Sequence, residues 1–359
     1  MKVVIAGGGT GGHLYPGIAI AREVLKTSGN AVLFVGTRQG IETKVLPREG
    51  LPVRFISVGK LKGMKLASVI RTLLALPFSL LQSLSLLREV RPDVVIGVGG
   101  YSSGPVALAA WSLRIPLLIV EPNSYAGLAN RKLGKLADKI ILCFPGTGAQ
   151  HFFPLGKTEK IGPLARAGID GGNRITALAE FGLEAGRFTV FVMGGSGGAH
   201  AVNMTMTEAA ELLKEEKQIQ ILHQTGEKDL AVVTAAYRAA GVKAAVFPYI
   251  HDMAGAYAVA DLVVSRSGAT TVAELAVCGK RAVLIPFPFA ADNHQEHNAR
   301  TLAGYGSAEV IVQRDLNAGM LASIIKKYAG QGAGSAAPKM ENRAAEKIVR
   351  ICNNYVQKN

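Results

Sequence analysis

One pattern occurs twice in this chain and narrows what it can fold into. Val3-Val4-Ile5-Ala6 runs into Gly8-Gly9-Thr10-Gly11-Gly12-His13, and Val190-Phe191-Val192-Met193 runs into Gly194-Gly195-Ser196-Gly197-Gly198-Ala199-His200. In each copy four apolar residues suit a strand buried on both faces. A glycine turn follows, then a helix-like segment. Strands buried in this way belong to parallel sheets, whose neighbours are joined by helical crossovers. Two copies predict two similar α/β domains facing each other across a cleft.

The rest of the chain agrees. Strand-like runs at Ala31–Val35, Val94–Val98, Leu117–Val120, Lys139–Leu142, Gln220–His223, Leu262–Ser265 and Arg281–Ile285 alternate with helical patterns. The clearest helices are Tyr15–Thr27, Ala201–Lys214, Thr270–Cys278 and His294–Gly304. A length of 359 residues holds two domains of ordinary size. The expected division is 1–160 and 161–339, with a C-terminal helix in 340–359 packing back on the first domain.

Glycine turns at strand ends let backbone N–H groups approach an anion, and the following helix adds partial positive charge. A diphosphate is the natural guest, although a single such loop is equally well a tight turn. A third glycine segment, Gly97-Val98-Gly99-Gly100-Tyr101-Ser102-Ser103-Gly104, favours the ligand reading. Gly7–Gly12 fits the dinucleotide fingerprint, but the second strand ends Phe34-Val35-Gly36-Thr37, with no acid there for a ribose, so NAD is disfavoured. Neither main glycine cluster ends in Gly-Lys-Ser/Thr, so the P-loop pattern is missing.

Ser265-Arg266-Ser267-Gly268-Ala269-Thr270-Thr271-Val272-Ala273-Glu274-Leu275 reads as strand, turn and helix. Glu274 suits either a ribose diol or a helix-dipole role. A similar unit follows at Leu284–Asn298, where Asp292 can cap the helix and His294 and Gln295 can face a ligand. His223 can line the same site or serve the core. No Asp-x-Asp occurs, so neither a metal clamp nor another cofactor is expected.

The formal net charge of +14 implies a polyanionic partner. Sparse aromatics and the lack of a nucleic-acid-binding motif rank nucleic acid last. Three widely spaced cysteines and an N-terminus without a secretory leader point to a reducing, cytoplasmic setting. Leu66, Val69, Ile70, Leu73 and Leu74 recur at helical spacing. Phe78, Leu80, Leu81 and Leu84 extend the run, and Lys60, Lys62, Lys65 and Arg71 lie beside it. The uncharged stretch Thr72–Leu87 is shorter than the ~20 residues a span needs, so a transmembrane helix is rejected. The periodicity alone favours an ordinary amphipathic core helix, while the basic excess favours an interfacial helix on an anionic membrane.

The ordered set Gly8–His13, Gly99–Pro105, Gly194–Ser196, Ser265–Ala269 and Glu274 resembles the MurG family, along nearly the whole chain. The resemblance implies the GT-B fold of two Rossmann-like domains, with the donor in the C-terminal half and the lipid acceptor in the N-terminal half. It implies an inverting hexosyltransferase that moves N-acetylglucosamine from UDP-N-acetylglucosamine to the muramyl 4-hydroxyl of lipid I. The product would be lipid II, for peptidoglycan synthesis at the cytoplasmic face of the cell membrane. Glu274 would bind the uridine ribose, Ser196 the diphosphate beside Ala269 and Thr270, and Ile250 the uracil through its backbone. Arg166 would lie near the uracil side, and His294 and Gln295 would meet the sugar. Asn123, Thr10, Gly11 and Gly12 would sit near sugar and acceptor, with His13 as the base. Read without the resemblance, a lone His at a glycine turn is more often a helix cap or a phosphate contact than a base. Other readings are a GT-B enzyme with another lipid acceptor, a UDP-sugar 2-epimerase and a non-catalytic sugar-nucleotide binder.

Overall fold

The computed structural model describes residues 1–58, 66–144, 148–332 and 337–357, and the side chains of 66–75 lie outside that description. The chain forms two compact units, Met1–Ala167 with Glu341–Asn359, and Gly168–Met340.

The first unit has seven parallel strands: β1 Lys2–Gly7, β2 Ala31–Gly36, β3 Val53–Phe55, β4 Val94–Gly99, β5 Leu117–Glu121, β6 Lys139–Leu142 and β7 Thr158–Lys160. Their spatial order is β3-β2-β1-β4-β5-β6-β7. Its helices are α1 Gly11–Leu25, α2 Glu42–Arg48, α3 Leu66–Val90, α4 Ser103–Ser112, α5 Leu128–Leu133 and, from the far end of the chain, the last helix at Ala344–Val356. The second unit's helices are α6 Arg174–Glu180, α7 His200–Leu213, α8 Leu230–Ala239, α9 Met253–Val259, α10 Ala269–Cys278, α11 His294–Gly304 and α12 Ala318–Gly330. That makes the last helix α13. The second unit's strands are β8 Phe188–Met193, β9 Ile219–Gln224, β10 Ala244–Phe247, β11 Leu262–Ser265, β12 Ala282–Leu284 and β13 Ala308–Val310. They are parallel and ordered β10-β9-β8-β11-β12-β13. Two doubly wound α/β sheets are thus present.

The period-two rule splits β1 between two cores. Val3 and Ile5 pack with Leu14, Ile18 and Val24 of α1 and with Ile348 and Cys352 of α13. Val4 and Ala6 pack on the other face with Val106 and Ala110 of α4 and Leu87 of α3. The unit boundary falls later than the expected break after residue 160, because Ile161 and Leu164 are buried in the first unit's core. Helix α1 starts at Gly11 instead of Tyr15 and carries Pro16 in its second turn.

On α3 the inward face holds Ser79, Ser83, Leu86 and Leu87, all buried. Phe78 and Leu81 are 57% and 64% exposed. Lys60, Lys62 and Lys65 lie outside the described residues, as do the side chains of Leu66, Val69, Ile70, Arg71, Leu73 and Leu74. Among the described residues no helix is long and apolar enough to cross a membrane.

Candidate functional site

In both sheets the strand order reverses beside the first strand, and in open α/β sheets ligands bind beyond the carboxyl ends at such a point. In the first unit that point lies between β1 and β4. The loops leaving them carry Gly8–Thr10 and Gly100–Ser102 and lead into α1 and α4. Thr10 precedes α1 in an extended conformation, and Gly11, Gly12 and His13 form the helix's first turn. The His13 imidazole lies against Gly99, where an added Cβ would stand 2.7 Å from His13 Cδ2, and its Nδ1 is 3.2 Å from Thr10 Oγ1.

The first glycine turn contains a group that its own sequence does not announce. Glu42, fully buried at the start of α2, accepts from Gly9 N at 2.8 Å, Thr37 N at 2.8 Å and Thr37 Oγ1 at 3.1 Å. The Glu42 side chain fits because Gly8 and Gly36 lack side chains, a Cβ on Gly8 falling 2.6 Å from its carboxylate and one on Gly36 2.6 Å from its Cγ. The expectation that this turn offers its N–H groups to an anion is therefore corrected at Gly9, whose donor already serves a carboxylate. The first turn of α1 is what remains for a ligand.

Asn123 follows β5, where buried Glu121 accepts from Asn123 N, Asn123 Nδ2, Gly127 N and Asn130 Nδ2. Burial pushes the Glu121 carboxyl above its usual range, and those hydrogen bonds oppose the shift. Arg166 belongs to the first unit, where its guanidinium stacks over Tyr15, 4.9 Å from the ring centroid.

In the second unit the reversal lies between β8 and β11. Gly195, Ser196 and Gly197 are exposed between β8 and α7, and Gly195 has φ +94°, which glycine tolerates. Beside them α10 opens at Ala269 after extended Gly268. Thr270 Oγ1 is buried there with no hydrogen-bond partner, and such an atom costs on the order of 1–3 kcal/mol until something binds it. Two helix N-termini and a donor-rich turn favour a phosphorylated ligand. Glu274 sits in the second turn of α10, 1% exposed, and its Oε2 accepts from Tyr257 OH at 3.0 Å.

Ile250 gives its N–H to Gln224 Oε1 at 2.8 Å, so its carbonyl is the backbone group it can present to a ligand. Gln295 receives Phe287 N on its Oε1 at 3.0 Å, which leaves its amide nitrogen for a sugar hydroxyl. His294 Nδ1 donates to Ala291 O at 2.7 Å, which assigns the proton to Nδ1 and leaves Nε2 as an acceptor. Asp292 does not cap α11. That place belongs to Asn293, and both residues take left-handed backbone conformations with φ 52°. Arg266 fixes the turn by donating to Ile285 O, Pro286 O and Gln313 Oε1.

His223 belongs to the core. Its Nε2 faces Asn203 Oδ1 at 3.1 Å and its Nδ1 faces Tyr237 OH at 2.7 Å. Asn203 spends its amide protons on Thr225 O and Asp229 Oδ2, so its oxygen must accept. The imidazole is thus neutral with the proton on Nε2, and burial pushes its pKa down to about 3. Glu42, Gln224 and Tyr257 are the residues that sequence reasoning missed. Glu42's one signal was the glycines at 8, 36 and 40 that clear space for it. Among the described residues no group of three His, Cys, Asp or Glu side chains gathers as a metal site would require.

Residues 3–142 match the glycosyltransferase family 28 N-terminal domain and residues 189–354 match its C-terminal domain. The chain is 44% identical over 366 residues to a protein of Anaeromyxobacter sp. (strain Fw109-5), the match covering 100% of this chain and 94% of that one. That relative is named UDP-N-acetylglucosamine--N-acetylmuramyl-(pentapeptide) pyrophosphoryl-undecaprenol N-acetylglucosamine transferase. Among solved structures, Acinetobacter baumannii MurG superposes with a TM-score of 0.74 at 28% identity, covering 98% of this chain and 99% of that one. A Neisseria meningitidis UDP-GlcNAc 2-epimerase covers 100% of both chains with a TM-score of 0.63. At 14% identity it shares the fold alone.

Proposed function

The chain belongs to glycosyltransferase family 28, and from that premise we propose that it transfers N-acetylglucosamine from UDP-N-acetylglucosamine to lipid I, forming lipid II. It is a hexosyltransferase of the GT-B fold. One observation carries the choice of reaction: 44% identity along the whole chain to a protein named for that transfer. The epimerase, at 14%, has no comparable claim.

The reaction is a single displacement. The muramyl 4-hydroxyl oxygen attacks the anomeric carbon, the bond to the diphosphate oxygen breaks, and UDP leaves with inversion. Charge develops on the departing diphosphate, so preorganised donors near it lower the barrier. Ser196, the open turn Gly195–Gly197, and the α7 and α10 N-termini with Ala269 and Thr270 supply them, without a metal. Glu274, held by Tyr257, takes the ribose hydroxyls, and the Ile250 carbonyl accepts from uracil. Gln295 and His294 meet the sugar. Asn123, Thr10 and the first turn of α1 at Gly11 and Gly12 serve the acceptor side, and Arg166 the uracil side. His13 takes the hydroxyl proton on Nε2, which requires Nδ1–H to donate to Thr10 Oγ1.

The acceptor's polyprenyl chain lies in a bilayer, and the protein meets it as a peripheral protein on the anionic cytoplasmic face. Exposed Phe78 and Leu81 on α3 and the net charge of +14 support that attachment.

The decisive experiment measures UDP release from UDP-N-acetylglucosamine with a lipid I analogue, with diacylglycerol and with no acceptor. Release with lipid I alone is expected. Release with diacylglycerol only, or conversion of the sugar without acceptor, overturns the assignment.

A further inference from the structure

Gln224 closes β9, the strand between β8 and β10. In the sheet register it stands opposite Met193, the last residue of β8, and Phe247, the last of β10. Two loops therefore leave the sheet on either side of one side chain. Gln224 reaches both: its Nε2 donates to Gly195 O at 3.0 Å, and its Oε1 accepts from Ile250 N at 2.8 Å. At 3% exposure these bonds are hardly shared with water. A carboxamide is suited to the place because one side-chain end offers a donor and an acceptor together. A carboxylate would set an oxygen against Gly195 O, and a thioether would satisfy neither loop.

Resting on the donor site proposed above, we propose that Gln224 is a positioning residue that fixes the distance between the diphosphate loop at Gly195–Gly197 and the base-contacting segment at Ile250, and so sets the enzyme's preference for a uridine diphosphate. It touches neither phosphate nor base. Its bond to Ile250 N leaves the Ile250 carbonyl as the backbone group for the ligand, and a carbonyl set against the base N3 favours uracil, whose N3 carries a proton, over cytosine, whose N3 is itself an acceptor. Its bond to Gly195 O holds the exposed turn in the left-handed conformation seen at Gly195.

Two variants test this in the full-length protein. Gln224→Met keeps the side-chain length and removes both bonds. The donor KM is expected to rise about ten- to hundredfold, with kcat within about threefold and the lipid I KM within about twofold. UDP and CDP, compared as inhibitors, should differ less than they do for the unmodified enzyme. Gln224→Glu keeps an oxygen for Ile250 N and loses the donor to Gly195 O. By calorimetry it should bind uridine within about threefold of the unmodified protein and UDP at least tenfold more weakly.

An unchanged donor KM in a folded Gln224→Met protein overturns the clamp, as do donor and acceptor constants that shift together. Should Gln224→Met fail to fold, the uridine and UDP affinities of Gln224→Glu decide alone. If neither folds, Gln224 supports the sheet and the proposal falls. Failure of the unmodified protein to bind any uridine nucleotide would remove the donor-site reading instead.

Discussion

The buried imidazole of His223 makes the second unit sensitive to acid. In the unfolded chain a histidine titrates near 6.5. In the folded protein burial lowers His223 to about 3, a shift that nearby Asp229 opposes. Between those values the unfolded chain binds a proton that the folded one refuses, so the stabilisation is complete above pH 6.5 and declines as pH falls toward 3. The loss approaches about 1.4 kcal/mol per pH unit, or about 1.3 kcal/mol between pH 7.0 and 5.5. Hydrogen bonding agrees: Nδ1 accepts from Tyr237 OH, so a second ring proton would face another donor. His223→Gln supplies a reference that cannot titrate. Urea unfolding followed by far-UV circular dichroism at both pH values should show the unmodified protein losing about 1.3 kcal/mol more than the variant. The His223 ring resonance should also stay constant from pH 8 to 5. Parallel losses in the two proteins, or a ring that titrates near 6.5, would refute the reasoning.

Three further outcomes are expected. Glu42→Ala leaves Gly9 N and Thr37 N without their buried acceptor and should destabilise the first unit by about 3–5 kcal/mol, read from the fluorescence of Trp111 during unfolding; a change below about 1 kcal/mol counts against the lock. His13→Ala should lower turnover about 10²–10⁴-fold while UDP affinity stays within about twofold, and turnover near that of the unmodified enzyme removes His13 as the base. Phe78→Asp with Leu81→Asp should reduce flotation with cardiolipin-containing liposomes at low salt. Equal flotation would move the membrane contact elsewhere.

The interior of each sheet was legible in the sequence and the rims were not. The nine strand-like runs fall on the nine interior strands of the two sheets, where burial on both faces keeps most of their positions apolar. β3, β7, β10 and β13 are the four edge strands. β3, β7 and β13 are three residues long and each carries a charged residue, and β10 is a four-residue apolar run that stays only half-buried. The site divides similarly. Glycine turns and Glu274 announce themselves by local pattern. Glu42 stands in a polar stretch, and its meaning depends on glycines spread from position 8 to position 40. Gln224 gains its role only when β8 and β10 flank it. The helical pattern of the sequence begins at Tyr15, whereas the glycine turn starts α1 one turn sooner, at Gly11.

Ala344, Ile348, Ile351 and Cys352 of α13 complete the core that β1 and α1 begin. A ribosome adding roughly 5–20 residues per second delivers them on the order of 20–60 s after α1. Every residue of Gly168–Met340 is made in that interval. The half of the molecule synthesised second can therefore mature first, while the earlier half waits with one flank of its oldest helix uncovered. A nascent chain stalled before Ala344 should expose that flank to chaperones, and release of the last turns should end their hold.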